Sequence, residues 1–273
     1  MKSIVVPVNF SDSAANAARY AADMALAVGA DVHLLHVLHV PVRTSQIPLP
    51  DLAFETLQEK GRLLLQQLSD ELVKRTYNKT RITTDMEIGD LQYRLEKFCQ
   101  EKQPFVVVMG ASGGFLQRVM AGDHTSPAIQ HLSYPVLVVP DEAVFTGIKK
   151  IALACDPADI GSGISVSRSF LKELGDLFGA QFDIINITTP AEQSEVQLAF
   201  EFDSWKAQLQ GIHPELHFVR AARLTDGIQQ YLAHHAVDWL MVFPKKHHVL
   251  ELHRSRARKI IMDCTVPVLS VHE

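Results

Sequence analysis

A glycine-rich stretch at residues 110–127, GASGGFLQRVMAGDHTSP, has the residue types that could hold a phosphate. It follows the apolar run FVVVM, which has the composition of a buried strand. Glycine lets backbone N–H groups approach an anion closely, and a helix that begins after such a loop adds a favourable dipole. The stretch is therefore either a working phosphate loop or a turn that has only the same shape.

A second candidate for anion chemistry lies at residues 245–259, where basic residues outnumber acids and Glu251 is the one carboxylate. Lys245, Lys246, His247 and Arg254 are the candidate contacts for an anion or an acidic partner. The same composition is typical of a solvated helix face that follows a basic turn. Both interpretations remain open from the sequence.

The histidines and cysteines do not have the spacing of a metal site. His33, His36 and His39 are three residues apart in a predicted strand, where odd and even positions face opposite sides. We therefore expect histidines of the core or the sheet edge and no bound metal. The three cysteines (Cys99, Cys155 and Cys264) are widely spaced and are expected to be small buried hydrophobic residues.

The motifs of the common enzyme classes are missing from the 273 residues: G-x-S-x-G, a Walker loop, H-E-x-x-H and G-x-G-x-x-G after a first strand. We therefore expect no catalytic residues and no enzyme. The net charge of −5 gives no basic field for nucleic acid. No apolar run approaches the roughly 20 residues of a membrane helix, and the unpaired cysteines fit a reducing compartment. These features predict a cytoplasmic protein that binds neither membranes nor nucleic acid.

The chain repeats itself, which indicates two domains of one type, at 1–143 and 148–273. The matched segments keep their order along the two halves: KSIVVPVNF with KKIALACDP, GADVHLLHV with GAQFDIINI, PFVVVMGASG with DWLMVFPKKH, and SYPVLVVPD with TVPVLSVHE. Each half alternates short apolar runs with helical patterns. The first helix has the N-cap candidates Ser11, Asp12 and Ser13 and ends at Gly29. Strands are predicted at 4–8, 32–37, 82–88, 105–109, 136–139, 151–155, 182–187, 216–220, 239–243 and 268–271, and further helices at 90–102, 126–132, 192–210 and in the basic stretch. Apolar strands joined by helices predict a doubly wound α/β domain with a parallel sheet in each half.

These segments resemble the universal stress proteins in their tandem, two-domain form. The features that carry the resemblance are IVVPVNFSDSA, LLHVLHV, VVVMGASGG and YPVLVVP, which follow one another at the expected strands. The resemblance implies a five-stranded parallel sheet of order 3-2-1-4-5 in each half, flanked by helices. It also implies that the fifth strands pair about a pseudo-two-fold axis, so that one chain imitates the homodimer. A monomer or a loose homodimer is then expected.

Members of this family that bind ATP have an Asp after the first strand and the loop Gly-x2-Gly-x9-Gly-Ser/Thr. The resemblance places Pro7, Asn9 and Val37 at the adenosine side of such a site. It places Gly110, Gly113 and Gly122 at the phosphates, where Thr125 or Ser126 could supply the hydroxyl if the loop is rearranged. Asn9 replaces the Asp, the interval between Gly113 and Gly122 is eight residues, and Asp123 follows Gly122. An acidic side chain at that point opposes phosphate binding.

The second half keeps an Asp after its first strand, at position 156, but Pro244, Lys245, Lys246 and His247 occupy the places of residues 110–113, so both loop glycines are lost there. Proline has no N–H to donate, so an ATP site there is not expected. Two functions are favoured over a third, an enzyme that acts on adenine nucleotides. One is a non-enzymatic stress-response protein with a degenerate nucleotide site and unidentified protein partners. The other is a regulatory protein that binds ATP or AMP in its first half.

Overall fold

The computed structural model of the chain describes residues 2–38, 51–111, 132–154, 165–188, 214–243 and 264–271. It divides into two compact units, Met1–Phe145 and Thr146–Glu273. No helix within the described ranges is both long enough and apolar enough to span a bilayer.

The first unit is a parallel five-stranded sheet with helices packed against it. Its elements are β1 (Ser3–Pro7), α1 (Asp12–Val28), β2 (Asp31–Leu38), α2 (Asp51–Arg75), β3 (Ile82–Ile88), α3 (Leu91–Lys102), β4 (Val106–Gly110) and β5 (Val136–Val139). The strand order is β3-β2-β1-β4-β5 and every pairing within the unit is parallel. All residues of β1, β4 and β5 are buried, as expected for strands of a parallel sheet that is covered on both faces.

Helix α1 is bounded by two residues of the types that commonly cap helices. The Ser11 hydroxyl accepts the Ala14 N–H at the N-terminus, and Gly29 at the C-terminus has a left-handed φ of 67°. The face toward the sheet is built from alanines that are fully buried, which lets the helix axis lie close to the strands: Ala17, Ala18, Ala21, Ala22 and Ala25. This close packing of α1 is what positions the residues at the carboxyl end of β1.

The two helical layers lie on opposite faces of the sheet, as the histidines of β2 show. The His33 ring makes an edge contact with Phe98 of α3, with 6.2 Å between centroids. His36, an odd number of residues further on, lies beside Gly61 of α2. Because side chains alternate along a strand, α2 and α3 cover opposite faces.

The second unit has the same order of strands. They are β6 (Lys150–Ala154), α4 (Ser165–Phe178), β7 (Gln181–Thr188), β8 (Glu215–Arg220), α5 (Leu224–His234), β9 (Trp239–Val242) and β10 (Val268–Ser270). Its strands have the order β10-β9-β6-β7-β8, again all parallel. Trp239 is fully buried and packs edge-on against Phe178, with 5.3 Å between ring centroids.

The predicted fold class is confirmed: each half is a doubly wound α/β unit with a parallel sheet of order 3-2-1-4-5. The observed strands agree with the predicted ones to within one or two residues at each end. The predicted helices at 126–132, 192–210 and in the basic stretch fall largely or wholly outside the described residues.

Candidate functional site

The candidate site lies at the carboxyl ends of the strands in the first unit. Strand β1 lies between β2 and β4, and the chain reverses its direction of strand addition between β1 and β4. Open α/β sheets bind ligands at such a switch point. Pro7 ends β1, Val37 is the second-last residue of β2, and Gly110 ends β4. With Asn9 just beyond β1, the structure brings four of the seven predicted residues to one sheet edge.

The other three predicted contacts, Gly113, Gly122 and Thr125, lie outside the described residues. The four residues of the proposed anion site in the second half also lie outside them: Lys245, Lys246, His247 and Arg254. These seven assignments therefore stay predictions from the sequence.

The side-chain oxygen of Asn9 is used to organise the start of α1. Its Oδ1 accepts the Ser11 N–H at 3.1 Å and the Ser11 hydroxyl at 2.7 Å. The Ser11 oxygen in turn accepts the Ala14 N–H at 3.2 Å. An amide oxygen has two lone pairs, so the two donors on Ser11 occupy the acceptor capacity of Asn9.

Phe10 and His36 form a wall of the site that the sequence patterns did not reveal. Phe10 has a φ of 62°, a left-handed value that is uncommon for a bulky residue. Its ring lies 4.5 Å from the His36 ring, centroid to centroid. The Nδ1 of His36 is 2.8 Å from the Val8 carbonyl oxygen, and since a carbonyl only accepts, Nδ1 carries the hydrogen. The signal available in the sequence was an aromatic residue directly after Asn9.

The close packing between β4 and α1 leaves no room for a side chain at position 110. A Cβ at this position would lie 2.3 Å from the Ser13 Oγ, 2.6 Å from the Ser13 carbonyl oxygen and 2.7 Å from its carbonyl carbon. Two of these atoms belong to the backbone of α1 and cannot rotate away. The first glycine of the predicted loop therefore has a structural reason that involves no ligand.

The first half of the chain matches a known protein family. The model of the Universal stress protein family matches residues 1–140. The chain belongs to the universal stress protein family. A universal stress protein of Methanocaldococcus jannaschii is 30% identical over 146 residues, which make up 50% of this chain and 81% of that protein.

Solved structures extend the likeness to both halves of this universal stress protein. The crystal structure of a universal stress protein from Archaeoglobus fulgidus has a TM-score of 0.74 at 14% identity, and covers 99% of this chain and 98% of that one. A crystal structure from Pseudomonas aeruginosa has a TM-score of 0.59 at 13% identity, and covers 100% of this chain and 93% of that one. At these identities the structural likeness shows the fold, so this is a tandem universal stress protein with two units of one fold.

The histidines and cysteines that sequence analysis weighed are placed as follows. The Nδ1 of His33 lies 2.6 Å from the Thr83 hydroxyl, and burial lowers the pKa of His33. Cys99 is fully buried and Cys264 is partly exposed. His39 and Cys155 lie outside the described residues.

Proposed function

We propose that this universal stress protein is a non-enzymatic stress-response protein whose first half keeps the shape of a nucleotide site without binding nucleotide tightly. The main support for the proposal is that the Asn9 side chain is already hydrogen-bonded to Ser11. The sequence resemblance places a carboxylate at this position in ATP-binding relatives, and a carboxylate accepts a ribose hydroxyl with charge assistance. Asn9 is uncharged, so its bond to a hydroxyl would be the weaker kind.

A ligand would also compete with the helix for Asn9. Its Oδ1 already accepts two donors of Ser11, at 3.1 and 2.7 Å. A ribose hydroxyl would have to displace one of them, at a cost of about 1 kcal/mol for the lost hydrogen bond. The net gain from a ribose contact is therefore expected to be close to zero.

The phosphate side of the site supports the same proposal. Gly110 is explained by its contact with Ser13, so its presence does not indicate a phosphate. Asp12 in the first turn of α1 already offers a carboxylate to the dipole of that helix. In the sequence, the loop interval is one residue short and Asp123 stands where a hydroxyl residue is expected. The carboxylates of Asp12 and Asp123 reduce the attraction for an anion, and the shorter interval departs from the loop of the ATP-binding relatives.

Isothermal titration of the full chain with ATP and Mg²⁺, and separately with AMP, tests the proposal. With protein at a concentration on the order of tens of micromolar, we expect no saturable heat. Saturable binding that Gly113→Asp abolishes would overturn the proposal and establish the regulatory ATP- or AMP-binding function instead. ATP hydrolysis that the same variant abolishes would overturn the non-enzymatic assignment.

Asn9→Asp tests the mechanism, with Asn78→Asp as a control that adds the same charge at an exposed position of the same unit. A charged acceptor is worth about 1 kcal/mol more than a neutral one, so Asn9→Asp should raise affinity roughly fivefold to tenfold. Equal effects of the two substitutions would show that position 9 does not face the ligand.

The oligomeric state follows from the tandem organisation. The resemblance implies that one chain supplies both copies of the family's usual dimer, so we expect a monomer in solution and recognition of protein partners by that monomer. Sedimentation equilibrium measures this directly, and obligate larger assemblies would contradict it.

A further inference from the structure

One face of the sheet in the second unit carries four ionisable side chains on three adjacent strands. Asp183 of β7 is paired with Ala152 of β6 on one side and with Glu215 of β8 on the other. Lys150 is two residues before Ala152, and His217 is two residues after Glu215. Since side chains two apart on a strand share a face, Lys150, Asp183, Glu215 and His217 all point the same way.

Asp183 is held in one orientation by two partners. Its side chain is only 2% exposed. The Tyr231 hydroxyl of α5 donates to Oδ2 at 2.6 Å, and the Lys150 ammonium lies 3.0 Å from the same oxygen. The other oxygen, Oδ1, is the one nearest to His217.

His217 lies between two carboxylates but is hydrogen-bonded to neither. Its Nε2 is 3.7 Å from Asp183 Oδ1 and 3.8 Å from Glu215 Oε2. These separations are too long for hydrogen bonds. The Nε2 atom is nevertheless buried and has no hydrogen-bond partner within the described part of the chain. A buried ring nitrogen without a partner is costly unless something else occupies the space beside it.

The spacing of the three ligand atoms fits a metal ion. Two ligands that each lie 2.0–2.1 Å from a tetrahedral zinc are roughly 3.3 Å apart. The His217 Nε2 atom lies 3.7 Å from Asp183 and 3.8 Å from Glu215, so these two separations need to shorten by only about half an ångström. The ligand atoms all lie within 4.8 Å of one another, so the Asp183–Glu215 separation needs to shorten by at most about 1.5 Å, which a rotamer change of the exposed Glu215 side chain can supply. This is the one group of three such residues among those that the structure describes.

The charges also favour a cation. Lys150 lies against Asp183, so it is placed to balance one of the two carboxylates, and Glu215 is the second. Glu215 has a side chain that is 73% exposed, so an ion can reach the site from solvent. One imidazole with two carboxylates is a donor set that suits zinc and similar divalent transition metals.

We propose that Asp183, Glu215 and His217 form a binding site for a divalent transition metal of the zinc type. Tyr231 and Lys150 are positioning residues that hold Asp183 Oδ2 and so direct Oδ1 toward the ion. The first unit has different residues at the equivalent positions. His33 and Thr83 form the strand pair there that corresponds to Asp183 and Glu215 in the second unit. The expected stoichiometry is one ion per chain.

Zinc binding by the full chain tests the proposal. The protein is stripped with a chelator, dialysed, and titrated with Zn²⁺ in competition with a chromophoric chelator. We expect one site, and His217→Gln and Glu215→Gln should each weaken it at least about tenfold, since even loss of an outer partner costs 10–100-fold. Tyr231→Phe should weaken binding within that range. His234→Gln, which removes an exposed histidine of α5, is the matched control and should bind like wild type.

A second readout identifies the ligands. Co²⁺ in place of zinc should give the visible absorption of a tetrahedral nitrogen and oxygen site, and His217→Gln should change that spectrum. Absence of stoichiometric Zn²⁺ binding by wild type overturns the proposal. So does binding that both His217→Gln and Glu215→Gln leave unchanged. If His217→Gln fails to fold by circular dichroism, Glu215→Gln decides, because its side chain is exposed and its loss leaves the core intact.

Discussion

Replacing Gly110 with alanine introduces a methyl group into the contact between β4 and α1. The new Cβ would lie 2.6 Å from the Ser13 carbonyl oxygen and 2.7 Å from its carbonyl carbon, whereas ordinary contact begins at 3.4 Å. Relief requires the strand end and the helix to separate by about 0.8 Å, in a region where α1 is packed closely through buried alanines. We expect a loss of about 1–3 kcal/mol in the free energy of unfolding, typical of overpacking.

Urea unfolding followed by far-UV circular dichroism measures this loss as a fall of roughly 1 M in the midpoint. Gly175→Ala is the control, because its Cβ would meet only Phe182 at an ordinary 3.5 Å. Gly175 lies inside α4, so this change should stabilise the protein by about 0.5–1 kcal/mol. The fall for Gly110→Ala should be the same with and without ATP. A variant as stable as wild type would refute the packing explanation and return Gly110 to the role of a ligand contact.

Three further predictions follow from side chains in the first unit. Burial, followed by the charge of Glu96, raises the pKa of Cys99 to about 12. A maleimide at pH 8 should therefore label Cys99 only after unfolding. Rapid labelling of the native protein, detected by peptide mass spectrometry, would contradict this. Burial lowers the pKa of His33 below the ordinary 6.5, so the unfolded chain binds the proton more readily and stability should fall as the pH drops below about 6.5. His33→Gln should flatten that dependence in urea midpoints at pH 7.5 and 5.5, and an unchanged slope would assign it to another group. Arg75→Gln removes two nitrogens that lie 2.8 Å from the oxygens of the Asp23 carboxylate at the surface. The free energy of unfolding should fall by about 0.2–1 kcal/mol at low salt and by nothing measurable in 1 M salt. A loss of stability that salt leaves unchanged would contradict a screened ion pair.

Much of the fold was predictable because its signals are local. Ser11 was among the N-cap residues expected for α1, and Gly29 was expected as its end. Asp90 was placed at the start of α3, where it proves to be the N-cap. The strands were visible as apolar runs, and the internal repeat carried the order from one half to the other. These features depend on residues within a few positions of each other.

The candidate nucleotide site was predictable only in outline. The sequence and the family resemblance located Pro7, Asn9, Val37 and Gly110, and the order of the strands brings them to one edge. Neither revealed that the oxygen of Asn9 bonds to Ser11, since that depends on the turn that the backbone adopts after β1. The wall of Phe10 and His36 was also missed, because it joins the turn after β1 to strand β2.

By itself, the sequence determined the family, the α/β class, the repeat and the positions of the strands, since apolar periodicity and caps are written in consecutive residues. The tertiary structure decided what individual residues do. Gly110 meets Ser13 across 97 positions of the chain, and His217 reaches Asp183 only because β7 and β8 pair in one register. Strand register results from the packing of the whole sheet, so no spacing within a single strand can reveal which side chains meet across it.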